Sequence, residues 1–184
     1  MRKEWLAGAL ALLVVAAVGY VWFAPPTREP APDVALPILN GESLELSAYR
    51  GEPVMVVFWA TSCPTCIDEM PQIVELYEAL GADGFNVLGV AMDYDPVDRV
   101  NALVERKQLP YTIVVDEGGH IARAFNNVRV TPTTVLIDPA GGVVWQRIGH
   151  LDFPAIHKQI RDMLAAEQSA GLHCGLNPFT SSAW

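Results

Sequence analysis

Pro53 to Ala60 reads PVMVVFWA, eight apolar residues in a row, and Cys63-Pro64-Thr65-Cys66 follows almost at once. A strand with no polar alternation is one buried on both faces. Such a strand needs layers above and below it, so the chain must fold as a covered sheet rather than a bundle or an open hairpin. Asn86–Met92 (NVLGVAM), Tyr111–Val115 (YTIVV) and Thr133–Ile137 (TTVLI) have the same character, and Val143–Ile148 (VVWQRI) closes the series. The turn Asp138-Pro139-Ala140-Gly141-Gly142 separates the last two.

Helical spacing lies between these runs. Ile67, Met70, Val74 and Tyr77 recur at three or four residues from Pro64 to about Leu80. Asp95 reads as an N-cap with Pro96 at the first helical position, leading a helix with Val97, Val100, Leu103 and Val104 on one side. A weaker pattern covers Ile121–Phe125. A last one starts near Asp152 and uses Ile156, Ile160 and Met163. Leu36–Ser47 reads as a β-hairpin turning at Asn40-Gly41. Alternating strands and helices predict an α/β three-layer α/β/α sandwich, with a loose tail after Glu167.

The chain has 184 residues and a formal charge of −9. Without a basic stripe, the composition argues against nucleic acid as a partner. Trp5–Ala24 is an uncharged run of 20 residues. At ~1.5 Å per residue it would span ~30 Å, about one hydrocarbon core. Arg2 and Lys3 precede it, which puts the N-terminus in the cytoplasm and the body outside. Trp22 and Pro25 fit poorly around a cleavage point after Ala24. The expected organisation is therefore an uncleaved transmembrane anchor over 1–24 and a Pro-rich linker over 25–32. A catalytic domain over 33–168 and a flexible tail over 169–184 follow.

Cys63 ends the segment after a buried strand and opens a helix. Helix N-termini present unpaired N–H groups and the positive end of the macrodipole, and both favour a thiolate. Cys63 is thus the expected nucleophile, and Cys66, one turn on, the more buried resolving thiol. Pro64 suits the first turn because it lacks an N–H that would go unpaired. Pro71 lies further along the helix and should kink it. Zinc sites also use Cys-x-x-Cys but need a second ligand pair. The histidines at 120, 150, 157 and 173 are scattered, so no metal site and no cofactor is expected. A structural bridge across so short a loop would stabilise little. Glu69 is three residues after Cys66, on the face that continues with Ile73, Leu76 and Leu80. Partial burial would suit its carboxylate to exchange a proton with Cys66. Cys174, beside His173, reads as an incidental free thiol or an auxiliary soft ligand.

The stretches Phe58–Cys66, Glu69-Met70-Pro71 and Pro132–Asp138 with Gly142 resemble the thioredoxin superfamily, and within it the TlpA/ResA-like membrane-anchored oxidoreductases of cytochrome c maturation. The hairpin and the helix–strand piece between Asp95 and Val115 fit that subfamily. The resemblance covers about 33–166. It implies a thioredoxin-like fold with an N-terminal hairpin, a central helix–strand insertion and one preceding transmembrane helix. It implies that Pro132 is cis and faces the sulfurs, and that Thr131 offers backbone groups to a bound strand. Trp59, Pro64 and Thr65 would complete the substrate contacts. It further implies an extracytoplasmic reductase of protein disulfides such as those of apocytochrome c, fed by a DsbD/CcdA-like membrane thiol donor. Two departures stand out. Ser62 replaces the tryptophan common before the first cysteine, and Val57 replaces thioredoxin's buried aspartate. Two other classes remain open. One is a Cu(I) metallochaperone using the cysteine pair. The other is a thiol peroxidase using Cys63 with Thr61.

Overall fold

The computed structural model describes residues 28–174. The expected anchor, the first part of the linker and the end of the tail lie outside these residues. Among the described residues no helix is long and apolar enough to cross a membrane.

Among the described residues seven strands and four α-helices follow one another. They are β1 (Ala35–Pro37), β2 (Ser43–Glu45), β3 (Val54–Trp59), α1 (Pro64–Leu80), β4 (Asn86–Ala91), α2 (Val97–Lys107) and β5 (Thr112–Val115). Then come α3 (His120–Ala124), β6 (Thr133–Ile137), β7 (Val143–Ile148) and α4 (Phe153–Cys174). The main sheet has the order β5-β4-β3-β6-β7. β3, β4 and β5 are parallel, β6 pairs antiparallel with β3, and β7 pairs antiparallel with β6. The apolar run of β3 therefore takes a central place, and all six of its residues are buried.

Alternation along β3 assigns its side chains to two cores, as the period of two requires. Met55, Val57 and Trp59 join Met70, Ile73, Leu76 and Leu80 of α1, Val100 and Leu103 of α2, and Ile156 and Ile160 of α4. Val54, Val56 and Phe58 join Ile121 and Phe125 at α3, with Leu36 and Leu46 from the hairpin region. Phe58 meets Phe125 edge to face, with ring centroids 5.6 Å apart. Helices thus cover both faces, and the three-layer sandwich stands as expected. β1 and β2 form the expected hairpin, a separate two-stranded sheet.

Four details differ from the sequence expectations. α2 begins at Val97 with Pro96 as its N-cap residue, and no side chain caps it. The Asp95 carboxylate is turned instead toward the β3–α1 loop. Val97 is exposed while Val100 and Leu103 are buried, so the apolar stripe starts one turn later than the spacing suggests. The end of the presumed linker is part of the domain: Pro30 bridges Gly142, Ala31 N–H donates to Gly141 at 2.9 Å, and Val143 N–H donates to Glu29 at 2.8 Å. These bonds satisfy backbone groups at the start of the β7 edge, and the apolar Ala31 is buried with them. Finally, α4 continues past Glu167 to Cys174, because Ala- and Gln-containing sequence continues a helix as readily as it forms a tail.

Candidate active site

β3 delivers the chain directly to the cysteines. Cys63 is the N-cap residue of α1, Pro64 is its first helical residue, and Cys63 Sγ accepts from the Cys66 N–H at 3.2 Å. That N–H is one of the four donors a helix start leaves unpaired, and here it points at sulfur. Cys63 and Cys66 are joined in a disulfide with a Cα–Cα distance of 5.3 Å, inside the usual range for such bridges. Both are buried, Cys66 more deeply than Cys63. Ser62 and Pro64 are exposed and Thr65 is half-buried, so access to the sulfurs is from the Cys63 side. Pro71 is exposed, and α1 runs on through it to Leu80.

The antiparallel register of β3 and β6 sets Phe58 opposite Thr133. The residues just before β6 therefore arrive at the end of the sheet where β3 leads to Cys63. The Thr131–Pro132 bond is cis there. Thr133 Oγ1 donates to the Val130 carbonyl at 2.6 Å, and Gly149 N–H donates to the Pro132 carbonyl at 2.9 Å, which pins the turn. Thr131 is half-buried, and among the described residues its backbone makes no hydrogen bond.

Glu69 falls on the buried face of α1. Its Oε1 accepts from the Leu151 N–H at 3.1 Å and lies 3.2 Å from His150 Nδ1. The two partners come from the loop between β7 and α4, 81 and 82 positions on. The glutamate side chain is 6% exposed and that of His150 82%.

Trp59 is enclosed by the core. It is 2% exposed, sits in the core beside both cysteines, and its Nε1 has no hydrogen-bond partner. Thr61 N–H and Thr61 Oγ1 donate to the two carboxylate oxygens of Asp95, at 2.5 and 2.6 Å. The β4–α2 loop thereby holds the segment two residues before Cys63. Asp95, His150 and Leu151 were not identifiable as site neighbours from sequence, since each acts on a residue more than thirty positions away. The Thr61 hydroxyl, which a peroxidase would need, is engaged by Asp95.

Residues 27–146 match the family model described as the AhpC/TSA family. The chain belongs to the AhpC/TSA family. Within it, the chain is similar to the thiol–disulfide oxidoreductase ResA of Halalkalibacterium halodurans, with 30% identity over 78% of this chain and 85% of the relative. It is also similar to ResA of Geobacillus kaustophilus, with 36% identity over 73% of this chain and 81% of the relative. A solution structure from Neisseria meningitidis described as a thioredoxin superposes with a TM-score of 0.70, at 31% identity. It covers 80% of this chain and 97% of the other. The fold is thioredoxin-like, and this AhpC/TSA member is a thiol–disulfide oxidoreductase with protein disulfides as its substrate class.

Proposed function

We propose that the chain is a membrane-anchored, extracytoplasmic reductase of protein disulfides. Reduced Cys63 attacks as the thiolate, which the Cys66 N–H and the start of α1 favour. The client S–S bond breaks and a Cys63–client disulfide forms. One client sulfur leaves as a thiolate and takes a proton. Glu69 accepts the proton of the buried Cys66 thiol, and the Cys66 sulfur attacks Cys63 Sγ. The client leaves with its second thiol, and Cys63–Cys66 closes as the disulfide. Two electrons have passed to the client. A DsbD/CcdA-like membrane thiol carrier restores the dithiol.

The observation that carries this reading is the asymmetry of the pair. Cys63 sits at the helix mouth with an N–H aimed at its sulfur, and Cys66 lies beneath it. Pro64, Thr65, Thr131 and cis Pro132 flank the open side and form the client contact, with the Thr131 backbone left to pair with an extended segment. Trp59 supports this pocket from the core rather than touching the client. Apocytochrome c, whose cysteines must be reduced before haem attachment, is the client class that the resemblance favours.

Expression of the Cys66→Ser full chain in cells tests the proposal. The expected result is a mixed disulfide between Cys63 and an extracytoplasmic protein, recovered from the membrane fraction. Trapping by Cys63→Ser but not by Cys66→Ser would refute the assignment of roles.

A further inference from the structure

Thr134 has a buried hydroxyl that nothing engages in the disulfide form. The residue is 1% exposed, and its Oγ1 has no hydrogen-bond partner among the described residues. Its neighbour Thr133 differs, since that hydroxyl donates to the Val130 carbonyl. A valine would fill the same space without the cost of an unpaired polar group. The hydroxyl therefore calls for a partner that this redox form lacks.

Strand geometry fixes which core it faces. Residues two apart on a strand share a face, and so do directly opposed residues on paired strands. Leu136 lies two positions on, and Val57 of β3 lies opposite Thr134. Both belong to the core that holds Cys63, Cys66 and Met70. Thr134 thus faces that core, two residues from cis Pro132 at the redox end of the sheet. Two charged side chains border this place. Arg147 is opposite Thr134 on β7, and its guanidinium lies over the Trp145 ring. Glu69 of α1 is engaged at Oε1 by Leu151 and His150. Neither bonds the hydroxyl.

We propose that Thr134 serves the exchange reaction: its hydroxyl bonds the Cys66 sulfur once the pair is reduced. This deepens the function given above and rests on Cys66 being the buried resolving thiol. In the disulfide each sulfur is bonded to the other, carries no proton and is a weak acceptor. Reduction adds two electrons and two protons, breaks the S–S bond and leaves two thiols. The Cys66 S–H then donates to Oγ1. When Glu69 takes that proton, the Thr134 O–H donates to the thiolate, and a bond to a charged partner is the stronger kind. The thiolate attacks Cys63 Sγ, and the client sulfur leaves with the bonding electron pair and is protonated. Thr134 itself exchanges no proton and no electron.

Thr134→Val and Thr134→Ser in the full chain, each combined with Cys174→Ser, test this. Valine keeps the shape and deletes the hydroxyl, whereas serine keeps the hydroxyl. Urea unfolding of each redox form and equilibration with glutathione are the first readouts. Thr134→Val should leave the oxidised form at least as stable as before and weaken the reduced form. The equilibrium constant for reduction should fall about tenfold, the size of one hydrogen bond. That is about 30 mV toward a more negative potential. Thr134→Ser should keep the wild-type potential. Alkylation of single-cysteine chains then locates the partner. With Cys66 alone, in Cys63→Ser, Thr134→Val should slow alkylation at neutral pH about tenfold. With Cys63 alone, in Cys66→Ser, the rate should stay as it was. An unchanged potential in Thr134→Val would overturn the proposal, whatever the change in stability. So would a Thr134→Ser potential that matches Thr134→Val, or a slowing confined to Cys63. Faster alkylation of Cys66 than of Cys63 with Thr134 intact would instead strike the assignment of nucleophile and resolver.

Discussion

Asp95→Ala should destabilise the oxidised chain by about 3 kcal/mol. The buried carboxylate accepts from both the N–H and the hydroxyl of Thr61. A hydrogen bond to a charged group contributes ~1.5–3 kcal/mol. Thr61 is half-buried, so water can replace part of what is lost, and the lower end applies to each bond. Asp95→Asn keeps one carbonyl acceptor and should cost about half as much. Thr61→Val removes only the hydroxyl bond and should cost about 1.5 kcal/mol. Urea unfolding measures these values. With m of about 2 kcal/mol/M, Asp95→Ala moves the midpoint down by about 1.5 M without changing m. The double variant should lose about 1.5 kcal/mol less than the sum of the singles, because both remove one shared bond. A loss under about 0.5 kcal/mol for Asp95→Ala, typical of an unengaged surface site, would refute the reasoning. Strict additivity would refute it as well.

Gly89→Ala should destabilise by about 1–3 kcal/mol in the same assay. Its Cβ would meet Ile113 at 3.0 Å, Tyr111 at 3.1 Å and Trp59 Nε1 at 3.2 Å in the core beneath the cysteines. His120 titrates above its ordinary value, mainly because its ring bonds the Glu117 carbonyl, with the Ala35 carbonyl and Asp116 adding to this against partial desolvation. Its stabilising effect is therefore fully present below the unfolded value of ~6.5 and fades as pH rises through the folded value. NMR titration of the ring should place the midpoint above 6.5, and His120→Gln should flatten that limb of the stability curve. Burial raises the Tyr111 phenol well above its ordinary value. The folded chain should then lose stability as pH climbs past ~10, where the unfolded phenol ionises, and Tyr111→Phe should remove that loss.

Much of the architecture was legible because its signals are local. The unbroken apolar run of β3 announced burial on both faces, and that burial extends to Trp59, which the resemblance had counted among the substrate contacts. Cys63 and Pro64 marked the start of α1 to the residue, since N-cap and first-turn preferences act within a few positions. Glu69 was placed on the buried face by spacing alone. The role of Asp95 was hidden for the opposite reason. An Asp-Pro pair before a helical stripe looks like a cap, yet its carboxylate is claimed by Thr61 thirty-four positions away. His150 lies eighty-one positions from Glu69 and carries no pattern of its own. Only the crossing of the β7–α4 loop over α1 brings them together. The attachment of Glu29–Ala31 to the β7 edge was likewise hidden, because prolines suggest a spacer whether or not neighbouring backbone groups find partners.

As the reductase proposed above, Cys63–Cys66 is a low-potential dithiol that donates electrons to client disulfides. Equilibration of the full-length chain in glutathione or dithiothreitol redox buffers, with the oxidised fraction read by thiol labelling and mass spectrometry, measures it directly. The expected reduction potential lies near thioredoxin's, about −270 mV. A value near about −120 mV, the range of a dedicated oxidant, would contradict it.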